Sequence, residues 1–393
     1  MHAIDPTAMR RMNRASVFRK VFEADTISRI QISKDLDMNK ATVSSIVDDL
    51  IKEQFVTETG YGASQGGRKP VLLEFNRTAA YVISIDVQIT HATTAVLSLK
   101  GDIIWLREQP LYGADEQPTK ENLVIKLERE IQIALGQVPN SPHGVLGVGI
   151  ALPGMVNAER GYVHYLPNLE IFDWPMGKEL EKRVQLPVFI DNDANCGALA
   201  EHIRTGKGNM VFVNAGIGIG AGIIANGQLY RGHNGIAGEY GHMTISAMGL
   251  RCSCGSYGCW EEYASERGLL RILQDHGEER NTKLPNAAFT SHCIEKATHG
   301  DDTYTRAFAE LGESLGVGIA NIGNTLNPER ICLGGSIAGA YPFVISRIEQ
   351  AMNQRSVSRN KRIRIDVATH DSVVRGAARL VVQHVLFSPE GTW

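Results

Sequence analysis

Between Gly235 and Glu262, one histidine, three cysteines and three carboxylates lie among six glycines. His242, Cys252, Cys254 and Cys259 can offer one imidazole and three thiolates, a donor set that suits four-coordinate structural zinc. The glycines allow the tight backbone turns that bring ligands so close in sequence onto one ion. Lone cysteines are usually small buried hydrophobes, but three within eight residues, spaced by glycine, do not fit that role. The loop reads as a metal site that supports something beside it. Glu239, three residues before His242, and Glu261, two after Cys259, are the candidates for that neighbour. Glu262 is expected to face solvent.

At 393 residues the chain is too long for one ordinary core, so two or three domains are expected. The first 30 residues alternate charged and apolar positions, and no apolar run approaches the ~20 residues of a membrane span. Neither a secretory signal nor a membrane segment is therefore expected. Six cysteines, three of them in the metal loop, fit a reducing cytoplasm better than a disulfide framework. Residues 1–70 hold 11 Lys+Arg against 9 Asp+Glu, while the whole chain carries a net charge of −3. The front is thus mildly basic and the remainder mildly acidic, which permits contact with nucleic acid.

Three helical patterns occupy the first 54 residues. Val17, Phe18, Val21 and Phe22 form a first apolar stripe. Ser28 can cap a short second helix that turns Ile32 and Leu36 inward. Asn39 can cap a third, with Val43, Ile46, Val47 and Leu50 on its buried face. The opposite face presents Lys40, Thr42, Ser44 and Ser45 near the helix start, where a recognition helix meets base edges and phosphates. Residues 55–59 and 71–75 read as the two strands of a wing. The loop between them ends in Gly66-Gly67-Arg68-Lys69-Pro70, suited to placing Arg68 and Lys69 against a narrow minor groove. Such composition also serves plain linkers. The combination predicts a winged helix-turn-helix that binds DNA.

From about Ala80 the texture becomes α/β. Residues 81–86 form an apolar strand ending in Asp86, residues 93–99 its hairpin partner, and 121–135 a helix. Val145–Ala151 reads as a buried strand, and Val188-Phe189-Ile190 leads into Asp191-Asn192-Asp193-Ala194-Asn195. A second set starts at Met210 and repeats the plan through Ile331-Cys332-Leu333. Two α/β lobes enclosing a cleft is the economical architecture.

Gly238-Glu239-Tyr240-Gly241-His242, the stretch Cys252–Glu261 and Asn192-Asp193-Ala194-Asn195 together resemble the ROK family of repressors and sugar kinases. The resemblance spans essentially the whole chain. Gly66–Pro70 and Leu229-Tyr230-Arg231-Gly232 are particularly similar to the family's xylose-operon repressors. The resemblance implies an actin-like (ribonuclease H-like), two-lobed sugar-binding domain after the winged head. It also implies that Asn192, Asp193, Glu239, His242 and Glu261 hold sugar hydroxyls, with Gly154 and Asn168 nearby, and that the Cys3His set binds zinc. The physical reading agrees, since carboxylates, an amide and an imidazole on fixed supports can pair with a ring of hydroxyls and reject analogues lacking one.

The family's kinases carry Asp-x-Gly-Gly-Thr and Gly-Thr-Gly-x-Gly as phosphate loops. Here the corresponding stretches read Asp86-Val87-Gln88-Ile89-Thr90 and Asn214-Ala215-Gly216-Ile217-Gly218. Gln88 and Ile89 add side chains where phosphate must approach main chain, and Ala215 lacks the hydroxyl. Gly334-Gly335-Ser336 survives at the adenosine loop. Asp193 is then a vestigial base, and no catalytic residue or enzymatic activity is expected. The chain reads as a winged helix-turn-helix over 1–76, a first lobe over 77–195 completed by a helix at about 371–387, and a second lobe over 196–370. The expected activity is sugar-responsive repression by a homodimer or higher even oligomer on a palindromic operator, with xylose as inducer by resemblance alone. Glucose or N-acetylglucosamine as effector, an active sugar kinase with a DNA-binding head, and a sugar-binding scaffold that contacts protein stay open at this point.

Overall fold

The computed structural model describes residues 6–62, 69–112, 116, 118–206, 208–278, 288–358 and 360–388. The head comprises α1 (Pro6–Glu23), β1 (Ile27–Ser28), α2 (Arg29–Asp35), α3 (Lys40–Lys52), β2 (Val56–Tyr61) and β3 (Val71–Phe75). Its strands pair in the order β1-β3-β2, so β2 and β3 form the wing. The Ser28 hydroxyl accepts from the Gln31 amide at 3.2 Å and Asn39 Oδ1 from the Ala41 amide at 2.8 Å. Each satisfies a donor that a helix start leaves unpaired. Ile32, Val43, Ile46, Val47 and Leu50 are buried against Val17, Phe18, Val21 and Phe22.

The first lobe contains β4 (Tyr81–Val87), β5 (His91–Ser98), β6 (Ile103–Pro110), α4 (Lys120–Leu135) and β7 (Val145–Leu152). A small sheet follows, β8 (Met155–Asn157), β9 (Tyr162–Leu166) and β10 (Ile171–Trp174), then α5 (Met176–Val184), β11 (Val188–Asn192) and α6 (Asp193–Thr205). The main sheet has the order β11-β7-β4-β5-β6. Strand β7 is covered on both faces, which is why 145–152 reads as a continuous apolar run without alternation.

The second lobe repeats the plan. It contains β12 (Met210–Ala215), β13 (Ile219–Ala225), β14 (Gln228–Leu229), α7 (Glu261–Ala264), α8 (Glu266–Asp275), α9 (Phe289–Thr298) and α10 (Asp302–Leu326). Strand β15 (Arg330–Gly334), α11 (Tyr341–Arg355), β16 (Arg364–Val367) and α12 (Ser372–Leu386) complete the chain. The sheet order β14-β13-β12-β15-β16 is that of the first lobe read in reverse, with an antiparallel meander followed by two parallel strands in each.

Helix α6 leaves the end of β11 in the first sheet and packs on β12 and β13 of the second, while α12 packs on β4, β7 and α6. It therefore crosses the boundary drawn from sequence at residues 195 and 196. The two helices approach so closely that a Cβ at Gly376 would overlap the Cys196 carbonyl. The head is not held by a linker alone. Phe18, Phe22 and Phe75 share one core with Phe387, Val382 and Val385 at the end of α12. The Phe22 ring lies 4.8 Å from Phe75 and 5.1 Å from Phe387, with the Arg379 guanidinium 4.9 Å from its centre. On the other side of this junction His143 stacks on Phe55 at 4.3 Å. Among the described residues no helix is long and apolar enough to cross a membrane.

Candidate functional site

The cleft between the lobes is built at the junction of β11 and α6. Asn192 ends the strand and caps the helix, its Oδ1 accepting from the amides of Ala194 and Asn195 at 2.9 and 3.2 Å. Its Nδ2 donates to the Gly154 carbonyl at 3.0 Å. Gly154 sits where any Cβ would overlap the Tyr165 carbonyl, so this approach requires glycine. Asp193, the first residue of α6, accepts from the Ala194 amide and from Asn214 Nδ2, both at 2.8 Å. Burial pushes its carboxyl up to about 6, those two hydrogen bonds oppose the rise, and the Glu239 charge adds to it. Asp86 is pushed up to about 7 by burial and then by Asp193, against a 2.7 Å hydrogen bond from Gln88 Nε2.

Glu239 and His242 share the single 3-10 turn Tyr240–His242 and its lead-in, with His242 Nε2 3.9 Å from Glu239 Oε2. Burial raises the Glu239 carboxyl, His242 lowers it and Glu261 raises it further. The seven residues expected to hold sugar (Gly154, Asn168, Asn192, Asp193, Glu239, His242 and Glu261) all line this one cleft. Gln88 and Ile89 from the altered first phosphate loop line it as well, with Gly216 and Gly218 from the second. Asn168 also reaches between the lobes, its Oδ1 accepting from Arg267 at 2.6 Å.

His242, Cys252, Cys254 and Cys259 bring one ligand atom each to within 4.8 Å of the others. Cys254 Sγ lies 3.7 Å from Cys259 Sγ, and Cys252 Sγ lies 3.6 Å from His242 Nδ1. A tetrahedral ion with bonds of about 2.3 Å to sulfur and 2.0–2.1 Å to nitrogen would separate its ligands by about 3.5–3.8 Å, and these two separations match that spacing. Because Nδ1 faces the thiols, Nε2 is left toward Glu239 and the cleft. Burial pushes the Cys252 and Cys259 thiols up, a penalty on their thiolates that a cation among them offsets. Gly258, at φ +69°, has no room for a Cβ beside the Ser246 carbonyl, which explains one of the loop's glycines. Glu261 begins α7 directly after the loop, accepting from Cys252 Sγ at 3.2 Å while lying 3.5 Å from His242 Nδ1. The Cys3His loop and the cleft therefore meet at His242 and Glu261.

One expectation is corrected. Glu262 does not face solvent; it is 7% exposed and pairs with Arg271 at 3.2 Å. The short helix α7 turns it away from Glu261 into the base of α8, where Arg271 offsets the cost of burial. Sequence reasoning also missed a pair. Arg231 binds the fully buried Asp191 through Nη1 at 2.8 Å and Nη2 at 2.6 Å, and Asn195 Nδ2 adds a third contact at 3.1 Å. Both residues lie in stretches whose composition stands out, but nothing local says that charges 40 residues apart meet. The pair ties the segment leading to Glu239 onto the strand that ends at Asn192.

On the head, Lys40, Thr42 and Ser45 are exposed along one side of α3 and Ser44 is half-buried beside them. Lys69 is exposed at the start of the returning wing strand, and Arg68 lies outside the described residues.

The family model described as ROK family matches residues 82–384. A xylose repressor from Caldicellulosiruptor bescii is 35% identical over 396 residues, which is 98% of each chain. Among solved structures, a ROK family transcriptional regulator described as a homolog of the Escherichia coli MLC protein aligns with a TM-score of 0.81 at 27% identity, over 97% of this chain and 98% of its own. A ROK family glucokinase from Streptomyces griseus, in complex with glucose and AMPPNP, aligns with a TM-score of 0.66 at 29% identity, over 76% of this chain and 98% of its own.

Proposed function

The chain belongs to the ROK family, and from that premise we propose that it is a sugar-responsive transcriptional repressor of xylose-utilisation genes. The observation that carries this reading is that one continuous core joins a winged head to the lobe that supplies Asn192 and Asp193 to the cleft. Lobe closure on sugar can therefore reach DNA. The repressor acts as a homodimer on a palindromic operator, since one winged head reads only a half-site. Sugar favours the lobe arrangement that spaces the two heads wrongly, and it shifts the equilibrium only by its difference in affinity for the two arrangements.

In the cleft, Asp193, Glu239 and Glu261 accept from sugar hydroxyls, and His242 Nε2 completes the set. Zinc held by His242, Cys252, Cys254 and Cys259 has a structural part, folding the loop so that His242 and Glu261 stand at fixed positions. Lys40, Thr42, Ser44 and Ser45 contact the operator from α3, with Lys69 and Arg68 reaching it from the wing. The phosphate half is degenerate. Gln88 hydrogen-bonds Asp86 and stands with Ile89 in the cleft where a phosphate would need bare main chain.

A gel-shift titration of operator-region DNA with xylose tests this reading. Sequence-selective binding that xylose reverses supports it, and binding indifferent to every pentose and hexose tried would remove it. A second reading, a DNA-binding sugar kinase, draws on Asp193, whose carboxyl at about 6 suits a general base. Phosphoryl transfer from Mg-ATP to sugar that disappears in Asp193→Asn would establish that reading instead.

A further inference from the structure

On the first-lobe side the cleft ends at the small sheet β8-β9-β10, whose Met155 and Val156 line it. Tyr165 of β9 stands opposite both Met155 of β8 and Phe172 of β10. Residues directly opposite in antiparallel strands present their side chains on the same face. Met155 lines the cleft, so Tyr165 and Phe172 continue the cleft wall outward on that face. The other face is core, where Val163, Leu166, Ile171 and Trp174 are at most 4% exposed.

Phe172 is 52% exposed, an unusual position for a phenylalanine on an ordered sheet, and its ring stacks on Tyr165 at 4.3 Å and 16°. Its backbone surroundings are unusual too. Glu170 and Asp173, on either side, both adopt left-handed conformations, at φ 51° and 44°, without being glycine. The turn at Asp173 breaks the alternation of β10, so that Trp174 enters the core while Phe172 stays out. Such conformations are costly and persist where the surroundings enforce them. Here they hold an aromatic face in water beside a polar cleft.

We infer that the Tyr165–Phe172 stack is a second carbohydrate subsite, which takes a pyranose ring glycosidically joined to the sugar in the cleft. This inference rests on the sugar-sensor reading above and extends it from a monosaccharide to a short oligosaccharide. A pyranose offers C–H groups on its ring faces and hydroxyls around its edge, so it can stack on an aromatic face while its hydroxyls stay solvated or meet the neighbouring carboxylates of Glu170 and Asp173. Two strand spacings, about 10 Å, separate Met155 from Phe172. That reach exceeds one sugar ring and matches two linked ones.

Calorimetric titration of the full-length protein with D-xylose, D-glucose and the β-1,4-linked disaccharide of each tests the subsite. One disaccharide should bind roughly tenfold more tightly than its monosaccharide, the gain expected of one aromatic stack. Phe172→Ala should abolish that gain and leave monosaccharide affinity unchanged, and Phe172→Trp should retain it. Disaccharides that bind no better than monosaccharides, a gain that survives Phe172→Ala, or a variant that weakens both sugars equally would each overturn the inference while leaving the sensor reading intact. Wild-type protein that binds none of the four would remove the sensor reading as well.

Discussion

Asp193 lines this cleft and Asp86 is near enough to feel its charge, and each carboxylate is held in an environment that resists ionisation. Burial pushes Asp86 up to about 7 and Asp193 up to about 6. Because these values exceed those of the unfolded chain, the folded state holds protons that the unfolded state has lost. Their contribution is complete below about pH 4 and is lost as pH rises through about 6–7. Asp86→Asn removes the larger cost and keeps the oxygen that accepts from Gln88. Urea titrations should find this variant more stable than wild type by about 3 kcal/mol at pH 8, with the gap closing toward pH 4. The Arg231–Asp191 pair is a different case, because the buried carboxylate has a cationic partner. Arg231→Met leaves a fully buried carboxylate without its partner, and should cost about 3–5 kcal/mol. Combining it with Asp191→Asn should recover much of that loss, and sugar affinity should fall in the single variant because the segment to Glu239 is no longer tied to β11.

At the scale of elements, α6 and α12 form the contact that joins the two lobes. Gly376 allows it, because an added Cβ would overlap the Cys196 main chain, which cannot move aside. Gly376→Ala should lower stability by about 3 kcal/mol through overpacking. Gly101→Ala is the comparison: its φ is +91° but nothing lies within 4 Å of an added Cβ, so only the backbone cost of about 1 kcal/mol is expected. Thermal melts of the two variants should separate by several degrees. Equal melting points would mean that α6 and α12 already have slack. The caps at Ser28 and Asn39 and the strands from Tyr81 and Val145 were legible in sequence, because a cap or an apolar run is decided by residues a few positions apart. The close packing of α6 on α12 was not, since Gly376 gives no local sign of what it must accommodate.

Across the whole molecule, the Cys3His loop and the winged head lie on different bodies of structure. The loop is part of the second lobe, whereas the head shares its core with β4, β5 and α12. Chelation, or Cys254→Ser, should therefore cost sugar binding first, as His242 and Glu261 lose their support. Gel shifts should then record operator binding that xylose no longer reverses. Loss of operator binding in step with metal would mean that the loop also braces the proposed dimer.

Local chemistry in the sequence was enough to pick out the Cys3His set, the helix caps, the duplicated α/β pattern and the carboxylates beside that set, because each depends on residue types at short, fixed spacing. Tertiary structure alone decided that Arg231 meets Asp191, that Glu262 turns inward to Arg271, and that Phe22 and Phe75 close on Phe387. It also decided that Phe172 stays in water beside the cleft while Trp174, two residues on, is buried. Each of these is settled by which distant surface arrives opposite a residue. Burial, pairing and charge cost belong to that arrangement, which a residue's own neighbours in sequence do not specify.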